Sequence, residues 1–131
     1  MITSASAPAT AVVRAYLAGL PGAEQTVRTV GPNHWGLTLD AAGWPLHLGL
    51  AVRHGVLRAQ AEVLPAGVAD PHDLLYRNRR LRLARYTHAA DGTVWIEADV
   101  PEEAVTAATV VDRLLGAAVA AAETLRRAAA G

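Results

Sequence analysis

The chain has no cysteine, no phenylalanine and no lysine, and its only serines are Ser4 and Ser6. Without cysteine there are no disulfides, no thiolate metal ligands and no thiol nucleophile, and the composition fits a reducing compartment. Without a serine beyond the first residues there is no Gly-x-Ser-x-Gly elbow, which argues against a serine hydrolase. Every basic residue is arginine. Arginine is therefore the only strong cation in use, and a cluster of arginines must be judged by its surroundings. Net charge is missing as well, because 12 basic residues balance 12 acidic ones. No global field draws the protein to nucleic acid or to an anionic membrane. Long apolar runs are lacking too. The uncharged stretch 114–122 is too short to span a bilayer. Residues 1–13 carry no basic residue ahead of their mildly apolar run and so do not read as a signal peptide. These absences predict a soluble, cytoplasmic protein with no membrane contact.

At 131 residues the sequence is one domain's worth, long enough to bury a single core. Residues 1–7 are small and polar and read as a loose tail on a single domain 1–131. Pro8 opens a first helix to about Leu20, where Pro21-Gly22 closes it. Val12, Val13, Tyr16, Leu17 and Leu20 recur at helical spacing. Period two follows. Val27 and Val30 sit in a short β-like run of uncertain extent, and Trp35, Leu37 and Leu39 then alternate with Gly36 and Thr38. Residues 40–43 form a turn. Leu46, Leu48, Leu50 and Val52 give the clearest alternation, with His47, Gly49, Ala51 and Arg53 pointing the other way. His54-Gly55 is a hairpin signal, after which Leu57, Ala59, Ala61 and Val63 continue inward.

Asp70-Pro71-His72-Asp73 starts a short helix, with Asp70 as cap and Pro71 at the first position, ending near Asn78 or Leu81. A second hairpin turns at Asp91-Gly92. Ala84, Tyr86 and His88 share one face of its first strand, while Val94, Ile96, Ala98 and Val100 share one face of its second. A final helix starts near Thr106, a plausible cap, or slightly earlier at Glu102. Its buried stripe is Val111, Leu114, Leu115, Ala118, Ala122 and Leu125, and Arg126 and Arg127 fall in the last turn, where positive charge suits the helix dipole. The predicted fold class is α+β: a helix, a three-stranded antiparallel meander, a helix, a β-hairpin and a C-terminal helix, with the helices packed on the sheet.

Chemistry-bearing patterns are sparse. Five histidines, His34, His47, His54, His72 and His88, are scattered without the spacing of a metal site. A cluster of His34, His47 and a carboxylate formed only in three dimensions stays open. Glu97 with Asp99, and Glu102-Glu103, are carboxylate pairs whose ordinary meaning is solubility. No catalytic residue, metal or cofactor is expected. The arginines Arg77, Arg79, Arg80, Arg82 and Arg85 crowd one segment. They read as a solvated helix end, as a patch for an acidic protein or, less well, as a nucleic-acid surface, because no pair of strand aromatics accompanies them. Trp95 falls on the polar face of its strand, where a large aromatic is covered within the monomer, covered by a subunit or offered to a partner. Trp35 keeps phase with the core, and Trp44 reads as core or rim.

The segment Leu74-Leu75-Tyr76-Arg77-Asn78, followed by Leu81-Arg82-Leu83-Ala84-Arg85-Tyr86 and by Asp91-Gly92-x-Val94-Trp95-Ile96-Glu97-Ala98-Asp99-Val100-Pro101 ahead of a long helix, resembles the YbjN family of bacterial proteins. That family's fold resembles the type III secretion chaperones. The resemblance implies a homodimer that binds protein clients or acts in regulation, and it supplies no catalytic residues. Asn78 matches the family's asparagine and reads as a helix C-terminal residue, of a type that tolerates left-handed geometry. The run Arg79-Arg80-Leu81-Arg82 and His88 depart from the family pattern and leave the client open. The expected function is a non-enzymatic, chaperone-like or adaptor domain that binds a partner polypeptide, with Trp95, Tyr76, Arg79, Arg80 and Arg82 as contact residues. The alternatives are a nucleic-acid-associated accessory protein and a small-molecule sensor.

Overall fold

The alternating leucines dictate the first layer. In the computed structural model, which describes residues 6–131, they line one face of a six-stranded antiparallel sheet. The strands are β1 (Val27–Gly31), β2 (His34–Ala41), β3 (Trp44–Arg53), β4 (Val56–Leu64), β5 (Ala84–His88) and β6 (Val94–Pro101), in the order β1-β2-β3-β4-β6-β5. Register keeps the greasy positions in phase across the sheet. Leu37 lies opposite Leu48, Leu48 opposite Ala61, Ala61 opposite Ile96, and Ile96 opposite Tyr86. A slip of one residue would turn each of these rows to solvent.

The tight turns obey their backbone requirements. Ala42-Gly43 has φ of 59° and 85°, and His54-Gly55 has φ of 53° and 79°. Two successive left-handed residues match the twist of the flanking strands, and glycine occupies the second position of each pair without steric cost.

Helices roof the apolar face. They are α1 (Ser6–Ala18), α2 (Ala23–Thr26), α3 (Pro71–Asn78) and α4 (Ala108–Ala130). The stripe Val111, Leu114, Leu115, Ala118, Ala122 and Leu125 is buried as its spacing predicts, joined by Ala121. It packs across β4, β6, β5 and β2, with α1 beside it. Two polar ties hold α4 down. The Tyr86 hydroxyl donates to the Ala121 carbonyl at 2.6 Å inside the core, and burial raises the Tyr86 pKa against the pull of Arg77. The Arg126 guanidinium donates to the carbonyls of Val63, Ala41 and Trp44 at 3.0 to 3.2 Å. Desolvation lowers the Arg126 pKa, with Asp40 opposing. Arg126 therefore staples the helix end to the sheet and does more than balance its dipole.

The structure corrects several expectations in detail. The meander has four strands, because the Val27/Val30 run pairs with β2 as an edge strand, with a bulge at Val30. The hairpin docks through its second strand, β6, onto β4, which leaves β5 at the other edge. The first helix ends at Ala18, two residues before Leu20. Thr106 does not cap α4: the N-cap is Ala107, without a side-chain bond, and Glu102–Ala104 form a separate 3-10 turn. Trp44 is a rim residue, 69% exposed. Residues 1–5 of the expected loose tail lie outside the described residues, and α1 begins at Ser6.

Candidate functional site

The α3–β5 corner is built from the segment that carries the arginines. α3 forms because Asp70, in an extended conformation, accepts from the His72 amide at 3.0 Å, and Pro71 occupies the first turn. With only eight residues, α3 can aim one leucine inward. Leu74 is buried, while Leu75 and Tyr76 are 66% and 54% exposed. Arg80 lies over the Tyr76 ring at 5.1 Å and donates to its hydroxyl at 2.9 Å, a cation–π contact that holds both side chains at the surface. Leu83, 41% exposed, takes φ of 65° just before β5, a left-handed conformation that a bulky residue rarely adopts. Tyr76, Arg80, Leu81, Tyr86 and Thr124 rim a cleft of about 220 Å³ between α3 and α4.

Asn78 is the last residue of α3, as its place in the sequence predicts, but it does not use left-handed geometry. Arg79, which follows it, continues right-handed at φ of −63°, and Asn78 is absent from the left-handed residues. Its amide instead faces the edge of β5. The side-chain carbonyl accepts from the Tyr86 amide at 2.7 Å, and the side-chain nitrogen donates to the Tyr86 carbonyl at 3.0 Å. Asn78 thus acts as a one-residue strand partner that blocks the middle of an otherwise open edge.

The arginine cluster does not stay together. Arg77 pairs with Asp73 at 2.7 Å along α3. Arg85 points to the opposite face of the sheet and reaches Glu97 and Asp99 at 3.2 Å each. Arg79, Arg80 and Arg82 are exposed around the corner. Glu97 and Asp99, read from sequence as solubility residues, therefore also organise the outer face. Burial works to raise the Asp99 pKa, but hydrogen bonds and charge from Arg58 and Arg85 outweigh it and lower the pKa overall.

Among the described residues no helix covers that outer face. There the outward residues of β2, β3, β4 and β6 enclose a trough of about 660 Å³ lined by His34, His47, Gly49, Ala51, Arg53, His54, Val56, Arg58, Gln60 and Trp95. Trp95 is half-buried, and its indole nitrogen donates to the Thr93 hydroxyl at 3.0 Å. The structure therefore separates Trp95 from Tyr76, Arg79, Arg80 and Arg82, because the sheet lies between them. His34 and His47 do share the trough, yet among the described residues no three His, Cys, Asp or Glu side chains converge as a metal site.

No family model matches the chain, and no curated protein matches it in sequence. Among solved structures, the Yersinia pestis type III secretion chaperone SycH, in complex with a stable fragment of YscM2, superposes with a TM-score of 0.65. The match is 19% identical and covers 89% of this chain and 98% of that one. The chain has the fold of a type III secretion chaperone. The YbjN resemblance rests on its motif alone, and the secretion-chaperone fold that it implies is the one found. Within this fold no described helix is long and apolar enough to cross a membrane.

Sequence reasoning grouped Tyr76, Arg79, Arg80 and Arg82 with Trp95 and did not single out Leu75 and Leu83, which the structure leaves exposed near the first four. The signal for Leu75 was the adjacent pair Leu74-Leu75 on a helix too short to bury both. The signal for the trough was the run of small outward residues, Gly49 and Ala51, beside His47 and Arg53.

Proposed function

We propose that this chain is a non-enzymatic, chaperone-like module that holds a partner polypeptide at its α3–β5 corner, and that it works as a homodimer. One observation carries the reading: Leu75 and Tyr76 on α3 and Leu83 just before β5 remain exposed, in the same segment as the exposed Arg79, Arg80 and Arg82. Tyrosine and arginine are enriched in protein-binding hot spots, and the exposed leucines beside them add apolar contact surface. The cleft beside Tyr76 has room for one partner side chain. An acidic, apolar segment of the partner matches this chemistry. SycH, which shares the fold, was solved with a fragment of another protein, and that supports a polypeptide as the occupant. The nucleic-acid reading loses ground because Arg77 and Arg85 are engaged by carboxylates, which leaves fewer charges for phosphates.

The test is affinity capture from native extract with the wild-type chain and with a Leu75→Ser/Tyr76→Ser variant, with the oligomer mass measured in parallel. Both side chains are exposed, so the variant keeps the fold. Truncating a buried anchor costs about 2 kcal/mol or more of binding, so the variant should lose its captured polypeptide. Equal capture by both proteins would remove the corner from the proposal.

A further inference from the structure

The outer trough has a chemistry of its own. Its floor is flat because two neighbouring outward positions of β3 are Gly49 and Ala51. A Cβ on Gly49 would meet only the His34 imidazole at 3.7 Å and the Gln60 carbonyl at 3.9 Å. Nothing but the missing side chain keeps the trough open there. Among the described residues no carboxylate lines it, although Asp99 and Glu97 stand on the same face paired with Arg58 and Arg85. Arg58 is already committed to Asp99 through Nε and Nη2 at 3.1 and 2.9 Å. Arg53 is exposed and has no hydrogen-bond or ion-pair partner among the described residues. The trough thus sets a free guanidinium beside an apolar floor, with imidazoles along its rim and the Trp95 indole at the opposite end. Its volume of about 660 Å³ falls in the range of small-molecule sites. In a protein of zero net charge, this one-signed lining is a local arrangement and not the reach of a global field.

We propose that this trough binds a small organic oxyanion carried on a flat apolar body, an aromatic carboxylate or an aromatic phosphate monoester. The ring lies on Gly49 and Ala51, and Arg53, the next outward residue of β3, takes the oxyanion. A guanidinium suits both anions, since its fork of donors fits carboxylate and phosphate alike. The site lies on the far side of the sheet from the α3–β5 corner and does not depend on the partner reading.

The test is isothermal titration calorimetry of the full chain at one fixed pH and salt concentration. The probes are 2-naphthoate, 2-naphthyl phosphate, the neutral 2-naphthylmethanol and acetate. One or both aromatic anions should bind about tenfold or more tightly than the neutral ring and than acetate, because a charge-assisted hydrogen bond adds to ring burial. The preferred anion identifies the ligand class. Arg53→Gln should erase the preference of anion over neutral ring. Gly49→Val should abolish binding by filling the floor while leaving thermal stability unchanged or higher, since valine suits a strand. The proposal fails if neither aromatic anion binds, if the neutral ring binds as well as the anions, or if binding survives Gly49→Val in a folded protein. It also fails if Gly49→Val splits an oligomer, because the trough would then be an interface between copies.

Discussion

Replacing Asn78 with alanine isolates the contact that ties α3 to the sheet edge. It deletes two hydrogen bonds to one residue, from the Tyr86 amide at 2.7 Å and to the Tyr86 carbonyl at 3.0 Å. A net hydrogen bond contributes about 1 kcal/mol, so two set the scale at about 2 kcal/mol. Both Tyr86 groups can then be reached by water at the edge, which keeps the cost from rising toward that of a buried orphan. For a chain of this size the loss corresponds to a fall of roughly 8 °C in melting temperature. Urea denaturation gives the free energy directly, and hydrogen exchange at the Tyr86 amide should accelerate. Asn78→Asp keeps the acceptor but loses the donor and sets a charge beside the Tyr86 carbonyl, so it rescues at most part of the loss. A change below about 0.5 kcal/mol for Asn78→Ala, within the spread of ordinary surface substitutions, would refute the edge-blocking role.

Three further outcomes follow from the geometry. The Tyr16 hydroxyl donates to Asp112 at 2.7 Å, and its pKa is pushed up to about 12 by burial and then by the hydrogen bond and charge of Asp112. A folded pKa above the unfolded value, near 10, means that this contribution is whole below about pH 10 and fades as pH rises through about 12. The stability gap between wild type and Tyr16→Phe in urea should therefore shrink between about pH 10 and pH 12, and a constant gap would contradict the assignment. Asp99 has a lowered pKa, so its contribution is present above the ordinary carboxylate range and is lost as pH falls through the depressed folded value. Asp99→Asn should flatten the acid limb of the stability curve, and an unchanged limb would count against the Arg58–Asp99–Arg85 network. Leu83→Val, at a side chain 41% exposed with φ of 65°, should cost about 1 kcal/mol, because a β-branched residue resists left-handed geometry. Leu83→Gly relieves that strain and should leave stability within about 0.5 kcal/mol of wild type, since glycine's extra entropy cost offsets the gain. Denaturation of the two variants side by side checks both values.

The periodic parts of this fold were readable because period two and period 3.6 are local properties. Leu46, Leu48, Leu50 and Val52 fell inward, and the α4 stripe did the same, because one buried face enforces register. What stayed hidden was tertiary. The sequence around Val27 and Val30 has weak alternation, and only pairing with β2 makes it a strand. Asn78 was legible as the end of α3, but its second use, two bonds to the backbone of Tyr86, exists only once β5 lies beside α3. Arg126 looked like a dipole-balancing charge because its three carbonyl partners come from distant strands. The arginine cluster appeared continuous because sequence proximity conceals that β5 turns Arg85 to the opposite face. Trp95 was correctly set on the polar face, yet the trough around it needed four strands to assemble.

The central claim is that a polypeptide contacts the α3–β5 corner, and photo-crosslinking in the native cell tests it most directly. Tyr76→p-benzoylphenylalanine places the probe at the corner, and Glu103→p-benzoylphenylalanine serves as an exposed control in the 3-10 turn. The account predicts discrete polypeptide adducts from position 76 and none from position 103. No adducts from position 76, or the same adducts from both positions, would contradict it.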